Sequence, residues 1–80
     1  MLAFDPVRVE LITRQGCHLC EAAEQLLRAA GATFELRDVD ADPELLRLYD
    51  FRVPVVLIDG RVKAEGNLTG AALKRALAGE

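Results

Sequence analysis

Gln15-Gly16-Cys17-His18-Leu19-Cys20 holds the only two cysteines of an 80-residue chain, at the point where an extended apolar run stops and a helical pattern begins. Two thiols separated by two residues at the start of a helix can close a disulfide locally and can reopen it. The first turn of a helix offers backbone N–H groups without intrahelical partners and the positive end of the helix dipole. A cysteine placed there is pushed toward thiolate, the nucleophilic form. Cys17 is therefore the expected attacker. Cys20, one turn further on, is in reach of the mixed disulfide that Cys17 would form and is the expected resolving thiol.

Three other readings of the pair stand beside this one. A structural disulfide would close so short a loop that it restrains the unfolded chain little, and no signal of secretion accompanies it. Half of a zinc site would need two more soft or imidazole ligands, and the chain offers His18 alone. The third is a pair of unreactive core cysteines.

Before this stretch, Val7 to Thr13 reads as a strand, with Val7, Val9, Leu11 and Thr13 alternating against Arg8, Glu10, Ile12 and Arg14. After it, Leu19, Ala23, Leu26, Leu27 and Ala30 recur at helical spacing from His18 to Ala30, and Gly31 ends the helix. Thr33 to Val39 is a second alternating strand. Asp42 is an N-cap and Pro43 the first residue of a short helix that carries Leu45, Leu46, Leu48 and Tyr49, its aliphatic positions read as core, and ends near Asp50. Val53 to Ile58 is a nearly continuous apolar run, as expected of a strand buried on both faces. Asp59-Gly60 is a hairpin signal, Arg61 to Glu65 the return strand, Gly66 to Gly70 a loop, and Gly70 to Ala78 a last helix.

The whole chain, residues 1–80, is one domain with the order β-α-β-α-β-β-α. The class is α/β: a four-stranded mixed sheet with three flanking helices, its first two strands parallel through a right-handed crossover. Ten basic and 13 acidic residues give a net charge of −3 and are interspersed, so neither a nucleic-acid stripe nor an acidic tail is present. No apolar run reaches membrane-spanning length, and Met1 to Pro6 lacks the pattern of a signal peptide. These features point to the cytoplasm, with no nucleic-acid or membrane partner. Pro54 heads the most buried strand. It is either an ordinary first-residue proline or the second residue of a cis bond with Val53, which would expose the Val53 backbone beside the thiols for pairing with an extended substrate.

At this point the chain resembles the thioredoxin superfamily, and within it the short bacterial glutaredoxin-like proteins. The resemblance rests on the first strand, Cys17-x-x-Cys20 at the head of a helix, Val53-Pro54 before the third strand, the Asp59-Gly60 hairpin and Gly66 before the last helix. It implies a thioredoxin-like fold of glutaredoxin type, Cys17 as nucleophile, Cys20 as resolving thiol and Val53-Pro54 as the substrate-facing element. Glutathione-using members of the family commonly carry a basic residue three positions before the first cysteine. Arg14 stands there, expected to attract a peptide carboxylate and favour the Cys17 thiolate. The family's Thr-Val-Pro appears as Arg52-Val53-Pro54, adding a second cation. Its Gly-Gly pair appears as Gly66-Asn67, which alters the pocket for a γ-glutamyl end. His18, when protonated, would add positive charge beside Cys17 and shift the pair toward oxidising behaviour.

The resemblance thus implies a monomeric thiol–disulfide oxidoreductase with no bound cofactor, leaving open whether glutathione is a co-substrate. It would act on a disulfide-bearing protein or a glutathione mixed disulfide, with a reductase or glutathione as electron donor. A different class of reading is a thioredoxin-fold binding module without turnover. In that class the thiols could also bridge an iron–sulfur cluster or a zinc ion between two copies.

Overall fold

The computed structural model of the chain describes residues 8–79. Its elements are β1 (Val9–Thr13), α1 (His18–Ala29), β2 (Glu35–Asp38), α2 (Pro43–Tyr49), β3 (Val55–Ile58), β4 (Arg61–Glu65) and α3 (Gly70–Leu77). A 3₁₀ turn, Val39–Ala41, joins β2 to α2. The four strands form one mixed sheet in the order β2-β1-β3-β4, with β1 parallel to β2 and antiparallel to β3. This is the expected element order and sheet class.

Side-chain alternation along the two central strands builds a core on each face. Leu11 pairs with Val56 and Val9 with Ile58, and these four pack against Ala23 and Leu27 of α1 and Leu73 and Ala76 of α3. Ile12 pairs with Val55 and, with Leu57, packs on the other face against Val39 and Tyr49. β1 is therefore buried on both faces, whereas its alternating pattern suggested one apolar face. The departure includes Glu10, which is buried on the α2 side and accepts a hydrogen bond from Arg37 Nη1 at 2.8 Å, with Arg8 Nη2 at 3.4 Å. Two guanidinium groups answer the desolvation that a lone buried carboxylate would suffer.

Several boundaries differ from the expected ones. Val7 lies outside the described residues. β2 begins at Glu35 and ends at Asp38, because the Asp38 carboxylate accepts from the Asp40 N–H at 2.9 Å and turns the chain into the 3₁₀ segment. Val39, fully buried, thereby drops into the second core instead of continuing the strand. β3 begins at Val55, two residues later than expected. α1 ends one residue early, where the Gly31 N–H bonds to the Arg28 carbonyl and the Ala32 N–H to that of Leu27, a Schellman closure. Leu19 and Leu48, read as core, are 47% and 40% exposed, and Ala30 is exposed too. The Asp42 cap holds as expected, accepting from Glu44 N–H at 2.9 Å and Leu45 N–H at 3.3 Å. A cap not foreseen closes α3: Thr69 Oγ1 accepts from the Ala72 N–H at 3.0 Å. Asp59 and Gly60, with φ of 52° and 82°, make the expected tight hairpin. The return strand carries an irregularity, since Val56 pairs with Ala64 but Leu57 with Val62, leaving Lys63 as the extra residue.

Leu11 is fully buried, while Leu36, its register partner on the edge strand β2, is 47% exposed. Leu11→Ala should cost about 2–5 kcal/mol in urea denaturation, and Leu36→Ala under about 1 kcal/mol. Equal losses would mean that α1 and α3 do not close over β1 as described.

Candidate active site

β1 delivers the chain to one end of the sheet, and the turn at Gln15-Gly16 redirects it into α1. Gly16 has φ +75°, a conformation in which a side chain would be strained. Cys17 follows as the N-cap of α1, with extended backbone at φ −100° and ψ 109°. Its Sγ accepts a hydrogen bond from the Cys20 N–H at 3.1 Å, and its carbonyl accepts the Glu21 N–H at 3.0 Å. The sulfur thus occupies the place that Ser or Asp takes in an ordinary cap, facing donors that the helix leaves unpaired. Cys17 and Cys20 are joined as a disulfide, with Cα atoms 5.2 Å apart. Their environments differ: Cys17 is half-buried, and Cys20 is 1% exposed on the inner side of the helix. The His18 side chain is 98% exposed, with Nδ1 3.9 Å from Glu21 Oε1.

The antiparallel pairing of Ile12 with Val55 fixes what lies at the same end. The residues just before β3, Val53 and Pro54, stand where β1 ends and α1 begins. Their peptide bond is cis, the second of the two readings left open for this proline. Pro54 is buried and Val53 half-buried, and the Pro54 carbonyl accepts the Gly66 N–H at 2.9 Å. Gly66 is thereby tied to that end, and Asn67 next to it is exposed. Topology therefore gathers Cys17, Cys20, Val53, Pro54 and Gly66 at one end of the sheet.

The two arginines expected there are engaged. Arg14 Nε and Nη2 donate to the two oxygens of Asp40 at 2.8 and 2.9 Å, Nη2 also to Asp50 Oδ1 at 2.7 Å, and Nη1 to the Asp50 carbonyl at 3.0 Å. Arg52 lies bidentate on Glu65, with contacts from 2.8 to 3.3 Å, and its guanidinium sits 5.2 Å from the centre of the Tyr49 ring. These hydrogen bonds hold both guanidinium groups even more firmly protonated than usual, Arg14 through Asp40 and then Asp50, and Arg52 through Glu65. They hold the Asp40 carboxyl below its ordinary range, chiefly through the bond from Arg14. Reading the sequence missed all three carboxylate partners. Asp40 lies 26 residues and Asp50 36 residues from Arg14, and the acidic stretch holding Asp40 read as a helix-start signal. It also missed Phe51, which is 96% exposed beside Arg52.

Among the described residues, no three His, Cys, Asp or Glu side chains are grouped to hold a metal ion within one chain. A metal bound through Cys17 and Cys20 would need ligands from a second copy or an added thiol.

Comparison with known proteins agrees with the fold. The sequence model of the glutaredoxin-like domain (DUF836) matches residues 8–78. An uncharacterized protein of Mycobacterium tuberculosis is 40% identical over 63 residues, covering 68% of this chain and 65% of its own length. The chain thus spans less than two thirds of that relative. Among solved structures, a structural-genomics target from X. campestris superposes with a TM-score of 0.80 at 30% identity, covering 90% of this chain and 97% of that one. The holo form of glutaredoxin C1 from Populus tremula x tremuloides superposes with a TM-score of 0.58 at 20% identity, covering 90% and 75%, a likeness of fold. The fold is thioredoxin-like.

The Asp40–Arg14 pair carries a pH signature. Because the folded chain holds the Asp40 carboxyl below its ordinary range, it binds fewer protons than the unfolded chain in the interval between the two values. The pair's contribution is complete above the unfolded value and is lost as the pH falls through the folded one. Asp40→Asn should therefore lower the urea midpoint near neutral pH, with the two proteins converging toward about pH 2. A constant offset down to that pH would show that the pair adds no pH dependence.

Proposed function

The chain belongs to the glutaredoxin-like domain family, and from that premise we propose that it is a thiol–disulfide oxidoreductase whose reacting groups are Cys17 and Cys20. The observation that carries this reading is the capping position of the Cys17 sulfur. In the reduced state, the Cys20 N–H that lies 3.1 Å from Cys17 Sγ would donate to a thiolate, and the helix dipole would add to its stabilisation. Charge-assisted hydrogen bonds are roughly twice as strong as neutral ones, so the cap favours the ionised sulfur over the thiol. The difference in exposure supports an order of events in which Cys17 meets the substrate and Cys20 waits behind it.

The Cys17 thiolate attacks one sulfur of the substrate disulfide. That S–S bond breaks, one substrate thiolate leaves and takes up a proton, and Cys17 is joined to the other half as a mixed disulfide. Cys20, deprotonated, then attacks Cys17 Sγ and expels the second substrate thiol. The substrate gains two electrons and two protons, and the protein is left with the Cys17–Cys20 disulfide. Val53, ahead of the β3 ladder, offers backbone to an extended substrate segment in the manner of an added strand. Pro54, buried next to Val53, and Gly66, whose N–H bonds to the Pro54 carbonyl, would flank that segment. His18 lies almost wholly exposed next to Cys17 in the chain.

Reduction of the protein disulfide requires a dithiol reductase or a low-molecular-weight thiol. A reducing compartment such as the cytoplasm suits that cycle, and a single chain supplies both thiols, so a monomer suffices. No helix among the described residues is long and apolar enough to cross a membrane.

Cys17→Ser should abolish reduction of a protein disulfide, measured with a coupled thiol assay. Cys20→Ser should retain the first attack and accumulate a mixed disulfide visible by intact mass after acid quench. Trapping by Cys17→Ser and none by Cys20→Ser would reverse the assignment, and no trapping by either would remove the reading altogether.

A further inference from the structure

Two arginines flank the dithiol end of the sheet, and the disposition of both is unusual for groups that would receive an anion. The Arg14 guanidinium has five N–H donors, and four of them are spent on Asp40 and Asp50. Arg52 is spent on Glu65 and stacked on Tyr49. Two cations facing three carboxylates leave this part of the rim with a net charge of −1. The groove of about 390 Å³ beside Gly16 adds Glu21, Glu24 and Asp38 to Arg14 in its lining. Of these, Glu24 is answered by Arg28, and Glu21 has the exposed His18 at 3.9 Å.

An incoming carboxylate would have to displace Asp40 or Asp50 from Arg14, or Glu65 from Arg52. The resident carboxylates are part of the same chain and already placed at 2.7 to 2.9 Å, so a substrate anion in free solution competes at a disadvantage in effective concentration. It would also approach a rim of its own sign within the roughly 8–10 Å over which charge is felt at ordinary ionic strength.

We propose that the dithiol site selects its substrates by charge, accepting disulfides flanked by neutral or basic groups and disfavouring anionic ones, glutathione disulfide included, because Asp40, Asp50 and Glu65 hold Arg14 and Arg52. This inference rests on the reading of Cys17 and Cys20 as an exchanging pair, and it narrows the substrate class to protein segments whose disulfide lies among basic or neutral residues. Glutathione, carrying two carboxylates and one ammonium per molecule, is on this argument a poor partner. A protein dithiol is the better electron source.

The test uses the full chain, reduced beforehand and freed of reductant. It is mixed in single turnover with three small disulfides of the same chemistry and different charge: cystamine (dication), hydroxyethyl disulfide (neutral) and dithiodiglycolate (dianion). Each rate is divided by that of a free small dithiol with the same disulfide, which removes intrinsic reactivity. The expected order is cystamine, then hydroxyethyl disulfide, then dithiodiglycolate, with a spread of about tenfold at low salt that shrinks in high salt. Glu65→Gln and, separately, Asp50→Asn should raise the dianion-to-neutral ratio several-fold and raise the rate with glutathione disulfide. The two variants lie on different elements, so misfolding of one leaves the other to decide. A dianion that reacts as fast as the dication, or variants that leave the ratio unmoved, would overturn charge selection while the exchange reading stands. A dithiol that none of the three oxidises, the neutral one included, would overturn the exchange reading and this inference with it.

Discussion

Burial of β1 on both faces is the constraint on which the rest of the structure depends. An 80-residue chain has little apolar surface to spend, and a sheet with helices on both sides needs a strand that serves two cores at once. Leu11 supplies the core under α1 and α3, and Ile12 the core under α2. Because the strand is held from above and below, its end is fixed, and the turn that follows inherits that rigidity. The thiol pair begins four residues after Thr13, at the start of a helix packed through Ala23 and Leu27 against the same strand. A reactive group on such a short tether from the most buried element keeps its geometry without a loop of its own to stiffen.

Much of this was legible in the chain. The Cys17–Cys20 spacing, the apolar run of Val53 to Ile58, the Asp42 cap and the Asp59-Gly60 turn are local signals whose physics is complete within a few residues, and the structure follows them apart from the later start of β3 at Val55. The misread positions share a different cause. Glu10 and Ile12 fall on the face opposite Val9 and Leu11, and alternation along one strand does not reveal that α2 will close over that side too. Val39 read as strand because its β propensity is good, whereas the Asp38 side chain bonding to the Asp40 N–H decides its backbone. Leu19 and Leu48 satisfy helical spacing but fall at the margin of the apolar stripe, where the neighbouring element does not reach.

The candidate site shows the same division more sharply. Cys17, Cys20 and Pro54 are identified by their own neighbours in sequence, so the chain order alone brings them to one end of the sheet once its topology is right. Arg14 and Arg52 are different, since the meaning of a cation depends on what it touches. Read locally, Arg14 is a free charge three residues before a thiol. In the fold it ties the end of β1 to the 3₁₀ turn and to the end of α2 through Asp40 and Asp50. No periodicity or motif encodes a contact across 26 or 36 residues, and that is the level at which the electrostatics of the rim is set.

The consequence for chemistry follows from comparing the two fields that act on the Cys17 sulfur. The helix terminus and the Cys20 N–H lie within hydrogen-bonding distance of the sulfur and act directly on it, worth about 0.3 to 2 kcal/mol for the terminus alone. The charge of Arg14 and Arg52 is cancelled at source by carboxylate partners at 2.7 to 2.8 Å. At distances beyond such a pair, a cation and its carboxylate are felt as a weak dipole, which falls off faster than a single charge. On the proposed exchange reading, activation of a Cys17 thiolate would therefore reside in the cap. The arginine–carboxylate pairs are left to shape the surface that a substrate would meet first. Reactivity and selectivity of this chain would then be set by separate residues.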